Sequence, residues 1–218
     1  MSKMPYKIIK RVSDFVLSLF PIMLFSRFLL LVSFLIWLGD RNEICVRDPL
    51  RIGLEGKEFR MYKFRTMIPN AHREILENPD YSSLKEKWEA NDNKLKIDED
   101  IRITNIGRFL RRTDLDELPQ LFNVLTGHMS LVGPRPMYKD ELERYLKNNP
   151  EDKRYLEDIL SVRPGITGLW QVSGRNKIPF GKRLKMDAKY TKKQNFLLDL
   201  KILLKTPYVV LTRKGAYE

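Results

Sequence analysis

The chain has 218 residues, 31% of them charged, and its 40 Lys and Arg against 28 Asp and Glu leave a net charge of +12. That length suffices for one compact domain with its own core, and the cationic excess calls for acidic partners: nucleic acid, anionic lipid headgroups or phosphorylated substrates. No zinc-finger spacing, RNP-like aromatic motif or heptad-linked basic region is present, which argues against nucleic acid; Cys45 is alone, so no internal disulfide can form, and His72 and His128 lie far apart without a companion Cys, against a zinc site.

In chain order, the first element is Phe15 to Leu38, apolar apart from a few hydroxyls, Pro21 and Arg27. A spanning helix needs roughly 20 apolar residues, so the run is long enough. Arg27 near the middle of a span would be costly, however, and Pro21 removes a backbone hydrogen bond where a bend would be useful. A bent, re-entrant insertion removes both difficulties. Lys3, Lys7, Lys10 and Arg11 precede the run and Arg41, Arg47 and Arg51 follow it, so the positive-inside bias puts both ends on the cytoplasmic face. Arg27 is expected to reach a lipid phosphate rather than to pair with Asp14. A cleaved signal peptide fits less well, because no small-x-small site follows; a single-pass anchor with Arg27 snorkelling would place the N-terminus on the opposite side.

Residues 51–67 read as a Gly-containing turn followed by an aromatic-rich strand, with Lys63 and Arg65 on one strand face; the bland alternative is a solvated edge strand. From Pro69 to about Lys96 the pattern is polar and helix-prone, with Ile75, Leu76, Tyr81, Leu84 and Trp88 as scattered apolar contacts and no identifiable chemistry. Ile101 to Arg112 interleaves apolar residues with Arg at spacings suited to an amphipathic helix lying against lipid headgroups.

That helix leads into Arg111-Arg112-Thr113-Asp114-Leu115-Asp116-Glu117-Leu118-Pro119-Gln120. Asp116 and Glu117 form an acidic couple in cationic surroundings, and nearby guanidinium groups would hold them ionised while attracting phosphate. Thr113 with Asp116, or Asp114 with Glu117, also has the spacing of a capping box, and Pro119 moves the expected helix start toward Asp116. Capping and catalysis are compatible here. Two Gly- and Pro-punctuated segments follow, 127–136, in which two prolines stiffen the loop presenting Arg135, and 161–176, dense in glycine where backbone must approach something closely. Neither matches a Walker or dinucleotide fingerprint. Phe196 to Leu211 alternates apolar and basic residues at near-helical spacing, as for a helix on a membrane surface or a core helix with a solvated face.

The segments Tyr62-Lys63-Phe64-Arg65-Thr66-Met67, Leu115 to Leu125, Met129 to Pro136, and Arg163-Pro164-Gly165-Ile166-Thr167-Gly168 through Gly174-Arg175-Asn176 occur in the order found in one family. Over nearly its whole length the chain resembles the bacterial sugar transferases known as monotopic polyprenyl-phosphate phosphoglycosyl transferases. Its ending, Leu198 to Leu203 through Lys214 to Tyr217, resembles members that load a hexose phosphate, often galactose or glucose. The membrane break departs from the family's usual Ser-Pro pair, having Phe20-Pro21 with Ser18 two residues earlier.

The resemblance implies transfer of a sugar-1-phosphate from a UDP-sugar to undecaprenyl phosphate with release of UMP, starting a surface polysaccharide at the cytoplasmic face of the bacterial inner membrane. It makes Asp116 the nucleophile and Glu117 its assistant, through a covalent phosphosugar intermediate. Mg²⁺ is expected, bridging Asp116 and the diphosphate. Arg111 and Arg135 are candidates for neutralising phosphate oxygens, together with Lys63 and Arg65; Arg175 and Asn176 are candidates for the nucleotide or sugar. The expected fold is α+β and mostly helical, with a re-entrant helix-break-helix anchor over 1–40, a transferase domain over 41–218, amphipathic interface helices and a short β-hairpin. A homodimer is allowed. The rival is a non-catalytic basic scaffold on the membrane surface, which would leave the acidic couple unexplained; a polytopic transferase needs more apolar segments than this chain has.

Overall fold

The computed structural model of the chain describes residues 3–41, 43–46, 49–90 and 95–212; Arg47 and the 214–217 ending lie outside the described residues, as do the side chains of Lys3 and His72. The chain is mostly helical with short strands, as expected. Helices α1 (Lys3–Leu24) and α2 (Ser26–Asp40) form the N-terminal pair, followed by α3 (Ala71–Glu77), α4 (Ser82–Ala90), α5 (Asn105–Arg112), α6 (Gln120–Leu125), α7 (Lys139–Asn148), α8 (Leu156–Leu160), α9 (Phe180–Lys193) and α10 (Phe196–Leu211). The strands are β1 (Cys45–Val46), β2 (Arg51–Ile52), β3 (Glu58–Phe59), β4 (Lys63–Phe64), β5 (Ser130–Val132) and β6 (Gly165–Thr167). β1 pairs with β4 and β2 with β3, both antiparallel, while β5 and β6 are parallel.

The apolar run is two helices rather than one. Among the described residues no single helix is long and apolar enough to cross a membrane, but Tyr6–Leu24 and Ser26–Gly39 together are, bent by 66°. The bend falls at Phe25, one turn beyond the expected Pro21. Pro21 lacks only its own N–H, and its carbonyl still accepts from Phe25 N at 2.9 Å, so α1 continues past it. The Met23 carbonyl freed at the bend is taken by Ser26 Oγ at 2.9 Å.

α1 is amphipathic in an inverted sense. Tyr6, Lys10, Asp14 and Ser18, spaced four apart, face the rest of the molecule, whereas Ile8, Ile9, Val12, Val16, Phe20 and Met23 are all exposed. Lys10 and Tyr6 reach Asp199 of α10 at 2.7 and 2.8 Å. The Arg11 guanidinium donates to Val124 O and Leu125 O, 2.6 and 2.9 Å away, where the C-terminal carbonyls of α6 attract a cation. Lys10 and Arg11, expected as membrane-flanking charges, therefore serve internal contacts. Asp14 accepts from Ser130 Oγ at 2.6 Å and Leu131 N at 3.1 Å, not from Arg27, which is exposed.

α2 buries Val32 and Ile36 against Phe64 and Leu110. Those two residues adjoin Lys63 and Arg111, so the inner face of the helix pair forms the floor under the candidate site.

The expected helix over 101–112 begins later, at Asn105, with Thr104 Oγ1 accepting from Gly107 N at 3.0 Å. Arg102 is buried rather than lipid-facing. Its guanidinium forks onto Asp100 with two 2.8 Å contacts, which supply the pairing a buried charge requires. Gly107 lets α5 cross the Thr66 backbone, because a Cβ there would strike the Thr66 carbonyl.

The two Gly- and Pro-punctuated segments, one read as a stiff loop presenting Arg135 and the other as backbone approaching something closely, pack on each other. β5 and β6 align Ser130 with Gly165 and Val132 with Thr167, and Gly165 N donates to Pro134 O at 2.7 Å. A Cβ at Gly165 would collide with the Gly133 backbone, so the close approach that glycine permits is of one loop to the other.

Candidate active site

The acidic couple sits in a single 3₁₀ turn, Leu115–Glu117, between α5 and α6. The capping-box readings do not hold. Thr113 Oγ1 bonds back to Phe109 O and Leu110 O, closing α5, and Asp114 has φ 55 and makes no capping bond. α6 starts only at Gln120, because Pro119 occupies its N-cap. The break between the helices turns Asp116 inward, where it is 2% exposed.

Lys63 of β4 lies between the two carboxylates, its Nζ 2.8 Å from Asp116 Oδ2 and 3.4 Å from Glu117 Oε1. The short Lys63 contact falls on Oδ2, the buried oxygen of Asp116, and no second donor joins it there. Arg135, presented just after β5, donates to Glu117 Oε1 at 2.8 Å. Arg111 donates from Nε to Thr66 Oγ1 at 2.8 Å, and its charge acts on Asp116.

Four of the expected residues, Asp116, Glu117, Lys63 and Arg135, thus converge, with Arg111 beside them. Arg65 is half-buried just past β4, with its backbone N–H on Ile44 O at 2.9 Å. Arg175 and Asn176 line a neighbouring cleft of about 380 Å³ that meets the couple at Glu117 and Arg135. Arg175 does not reach the couple itself; its guanidinium holds both oxygens of Asp114 at 2.9 Å.

The two adjacent carboxyls respond to this setting in opposite ways. Burial pushes Asp116 above its ordinary value, with the Glu117 charge adding to the rise and Lys63 and Arg111 opposing it. Burial would also raise Glu117, but Arg135 and Lys63 outweigh it and hold that carboxyl far below the usual range. The expectation that guanidinium groups keep both ionised holds for Glu117, whereas Asp116 is also subject to strong desolvation. Neighbouring titratable groups pushed apart in this way mark a division of roles.

Other residues of the site carry no motif of their own. Asn123 of α6 accepts from Tyr62 N at 2.8 Å and donates to Arg60 O at 2.7 Å, fixing the backbone that leads into Lys63. Arg51, read as a membrane flank, stacks on Tyr138 with its Cζ 3.1 Å from the ring centroid, and the charges of Arg135 and Glu117 act on it. Within the cleft Arg183 lies over Trp170 at 4.6 Å. Only proximity in the fold singles out these three.

Among the described residues no group of three Asp, Glu, His or Cys side chains gathers to enclose a metal. The adjacent carboxylates of Asp116 and Glu117 in one turn suit the sparse way Mg²⁺ is held, by one or two carboxylates plus substrate phosphates.

The site thus sets a carboxylate buried beside a lysine next to arginines and a cleft, and sequence comparison gives the chain's family. It belongs to the bacterial sugar transferase family, whose profile matches residues 5–213. It is 46% identical over its full length to a sugar transferase of Haemophilus influenzae, of which it covers 44%. Over 77% of the chain it is 49% identical to the undecaprenyl-phosphate galactose phosphotransferase of Salmonella typhimurium, covering 33% of that protein. It is also 38% identical to the exopolysaccharide production protein ExoY of Sinorhizobium fredii, with 95% of this chain and 88% of that one covered. The chain therefore spans less than half of the first two relatives and most of the third.

Proposed function

We propose that this chain transfers a sugar-1-phosphate from a UDP-sugar to undecaprenyl phosphate at the cytoplasmic face of a bacterial inner membrane, initiating a surface polysaccharide. The observation that carries this reading is Asp116 itself, buried 2.8 Å from Lys63 and adjacent to Glu117, which Lys63 and Arg135 both contact. A non-catalytic scaffold leaves that convergence of two carboxylates and two cations beside a cleft unexplained.

In the first step Asp116 Oδ2 attacks the sugar-bearing phosphorus of the donor, the bond from that phosphorus to the bridging oxygen breaks, and UMP leaves with the electron pair. An acyl phosphate joins Asp116 to the sugar phosphate. In the second step a phosphate oxygen of the lipid attacks the same phosphorus and the Asp116 carboxylate departs, giving a polyprenyl diphosphate-linked sugar. Lys63 orients the nucleophile, and Arg135 and Arg111 offset charge on the nonbridging oxygens. Glu117 holds Lys63 and Arg135 in place between the substrates. Arg175 and Asn176 contribute to the cleft that receives the nucleotide or sugar. Asp116 would hold Mg²⁺, which would supply further charge neutralisation for the departing UMP.

The bent helix pair fits the same scheme, because α1 and α2 turn apolar faces outward on one side of the site. An anchor over 1–40 dipping into one leaflet would hold the domain of 41–218 at headgroup level, where the lipid phosphate is presented. Galactose or glucose is the favoured sugar. Purified protein incubated with labelled UDP-sugars and undecaprenyl phosphate tests the reading: wild type should label lipid and release UMP, and Asp116→Asn should do neither. Lipid label from both proteins would remove Asp116 from the mechanism.

A further inference from the structure

The turn that carries the acidic couple is tied to a distant segment by an ion pair at the cleft. Asp114, two residues before Asp116, accepts from Arg175 Nη2 on both carboxylate oxygens at 2.9 Å, across 61 positions of chain. The Arg175 side chain is 21% exposed and that of Asp114 30%, so solvent screens this pair less than one on the open surface.

Both partners have unusual backbone. Asp114 has φ 55 and Arg175 φ 50, a left-handed conformation that Asp tolerates and Arg adopts rarely. Each is fixed locally: Asp114 O accepts from Glu117 N at 3.2 Å, Arg175 N donates to Trp170 O at 3.3 Å, and Arg175 O accepts from Ile178 N at 3.1 Å. The pair therefore joins two parts of the cleft lining, the acidic turn through Glu117 and the 170–178 segment through Trp170. Backbone outliers of this kind persist where the surrounding structure over-determines them, and they concentrate at ligand sites.

The form of the contact leaves the guanidinium able to do more. Nη2 alone reaches Asp114, so the pair does not consume Nη1 or Nε, and a guanidinium pinned at one corner presents its remaining planar donors in a fixed direction. The cleft lining carries Arg135, Arg175 and Arg183 against Asp114 and Glu117, which leaves a positive charge for an anion after the Arg135–Glu117 and Arg175–Asp114 pairs are counted.

We propose that Asp114 is a positioning residue for donor binding: it holds Arg175 in the orientation from which the remaining guanidinium donors take the nucleotide phosphate of the UDP-sugar. This rests on the reading of the cleft as the nucleotide site. Pinning also lowers the cost of binding, because a long side chain already ordered loses less freedom when the phosphate arrives.

Asp114→Gly removes the carboxylate and suits φ 55, so the turn keeps its backbone. The test is calorimetric binding of UMP and of uridine to the full-length protein in detergent, since only UMP carries the phosphate. Asp114→Gly should weaken UMP by about tenfold or more, the scale of a charge-assisted hydrogen bond, and uridine by less than about twofold. In an Arg175→Asn background, chosen because Asn tolerates φ 50, Asp114→Gly should weaken UMP by no more than about twofold further. Unchanged UMP binding in Asp114→Gly, equal weakening of uridine, or the full loss repeated in the Arg175→Asn background overturns the proposal. A rise in KM for undecaprenyl phosphate with UMP binding intact would give Arg175 to the lipid acceptor and overturn it equally. Should Asp114→Gly fail to fold, Asp114→Asn decides: it suits the same φ but loses the charge, and should weaken UMP, not uridine, by about threefold or more, so unchanged UMP binding in it overturns the proposal. Wild-type protein that binds UMP but transfers no sugar phosphate would count against the proposed function, not against this inference.

Discussion

Two sets of buried carboxylates in this molecule are treated in opposite ways. Asp199, at the junction of α1 and α10, receives Tyr6 at 2.8 Å, Lys10 at 2.7 Å and Tyr190 at 2.7 Å, and Asp14 receives Ser130 and the Leu131 amide. Asp116 is equally buried yet has one close partner, Lys63, 2.8 Å from Oδ2. A saturated carboxylate fastens two elements together; an unsaturated one retains the capacity to bond to something else. Burial alone does not distinguish a fastening from a reactive group; the number of donors around the carboxylate separates Asp116 from Asp14 and Asp199.

The sharpest test of this contrast is to neutralise one carboxylate of each kind. Asp116→Asn should reduce UMP release by on the order of 10⁴-fold or more, as loss of a covalent nucleophile does. Its thermal midpoint should equal or exceed that of wild type, because burial disfavours the charged form of Asp116 and Lys63 keeps Glu117 as a partner. A variant that loses activity only by unfolding would erase the distinction.

Asp199→Ala should behave in the reverse way. Removing one partner of a buried, hydrogen-bonded pair typically costs about 3–5 kcal/mol, so chemical denaturation in detergent should show that loss while the surviving folded fraction retains its rate of UMP release. Unchanged stability would mean that the contacts from α1 to α10 fasten nothing. Arg11→Ala tests the same junction more gently. Its guanidinium donates to two carbonyls at the end of α6, and about 1–2 kcal/mol should be lost on the same denaturation curve.

The same contrast shows what a linear reading can find. Asp116, Glu117, Lys63 and Arg135 were legible as candidates because their short segments match those of one family in order, and the structure brings them together across up to 72 positions of chain, the span from Lys63 to Arg135. The bent helix pair was legible from apolar length and the awkward Arg27. What escaped were the partnerships whose terms are separately unremarkable. Lys10, Arg11 and Asp14 look like flanking polar residues until α6, β5 and α10 stand behind them. Arg102 fits an amphipathic pattern, and only its pairing with Asp100 turns it inward. The glycines of 133 and 165 announce a close approach without naming the other party, which is the second loop. The bend at Phe25 rather than Pro21 depends on a carbonyl that proline does not remove.

The outward surface provides the smallest and most selective test. On α10, Leu197, Leu204, Tyr208 and Leu211 are exposed, while Ile202 and Val209 pack in the core beside Asp199 and Thr206, so this helix, unlike α1, is apolar on both faces. Exposed apolar stripes of this kind point toward lipid. Leu204 is 71% exposed, so Leu204→Glu should change folding stability by less than about 0.5 kcal/mol. Burial of one leucine in an interface is worth about 1.5–3 kcal/mol, so α10 alone should lose roughly tenfold or more in partition. Because α1 and α2 would still hold the protein on vesicles, flotation should not change. A polarity-sensitive dye at Tyr208→Cys, with Cys45→Ser to remove the native thiol, should instead shift to the blue on adding anionic vesicles, and Leu204→Glu should shrink that shift by half or more. An identical shift in both proteins would mean that α10 faces water or protein and that the outward apolar surface meets lipid only at the N-terminal pair.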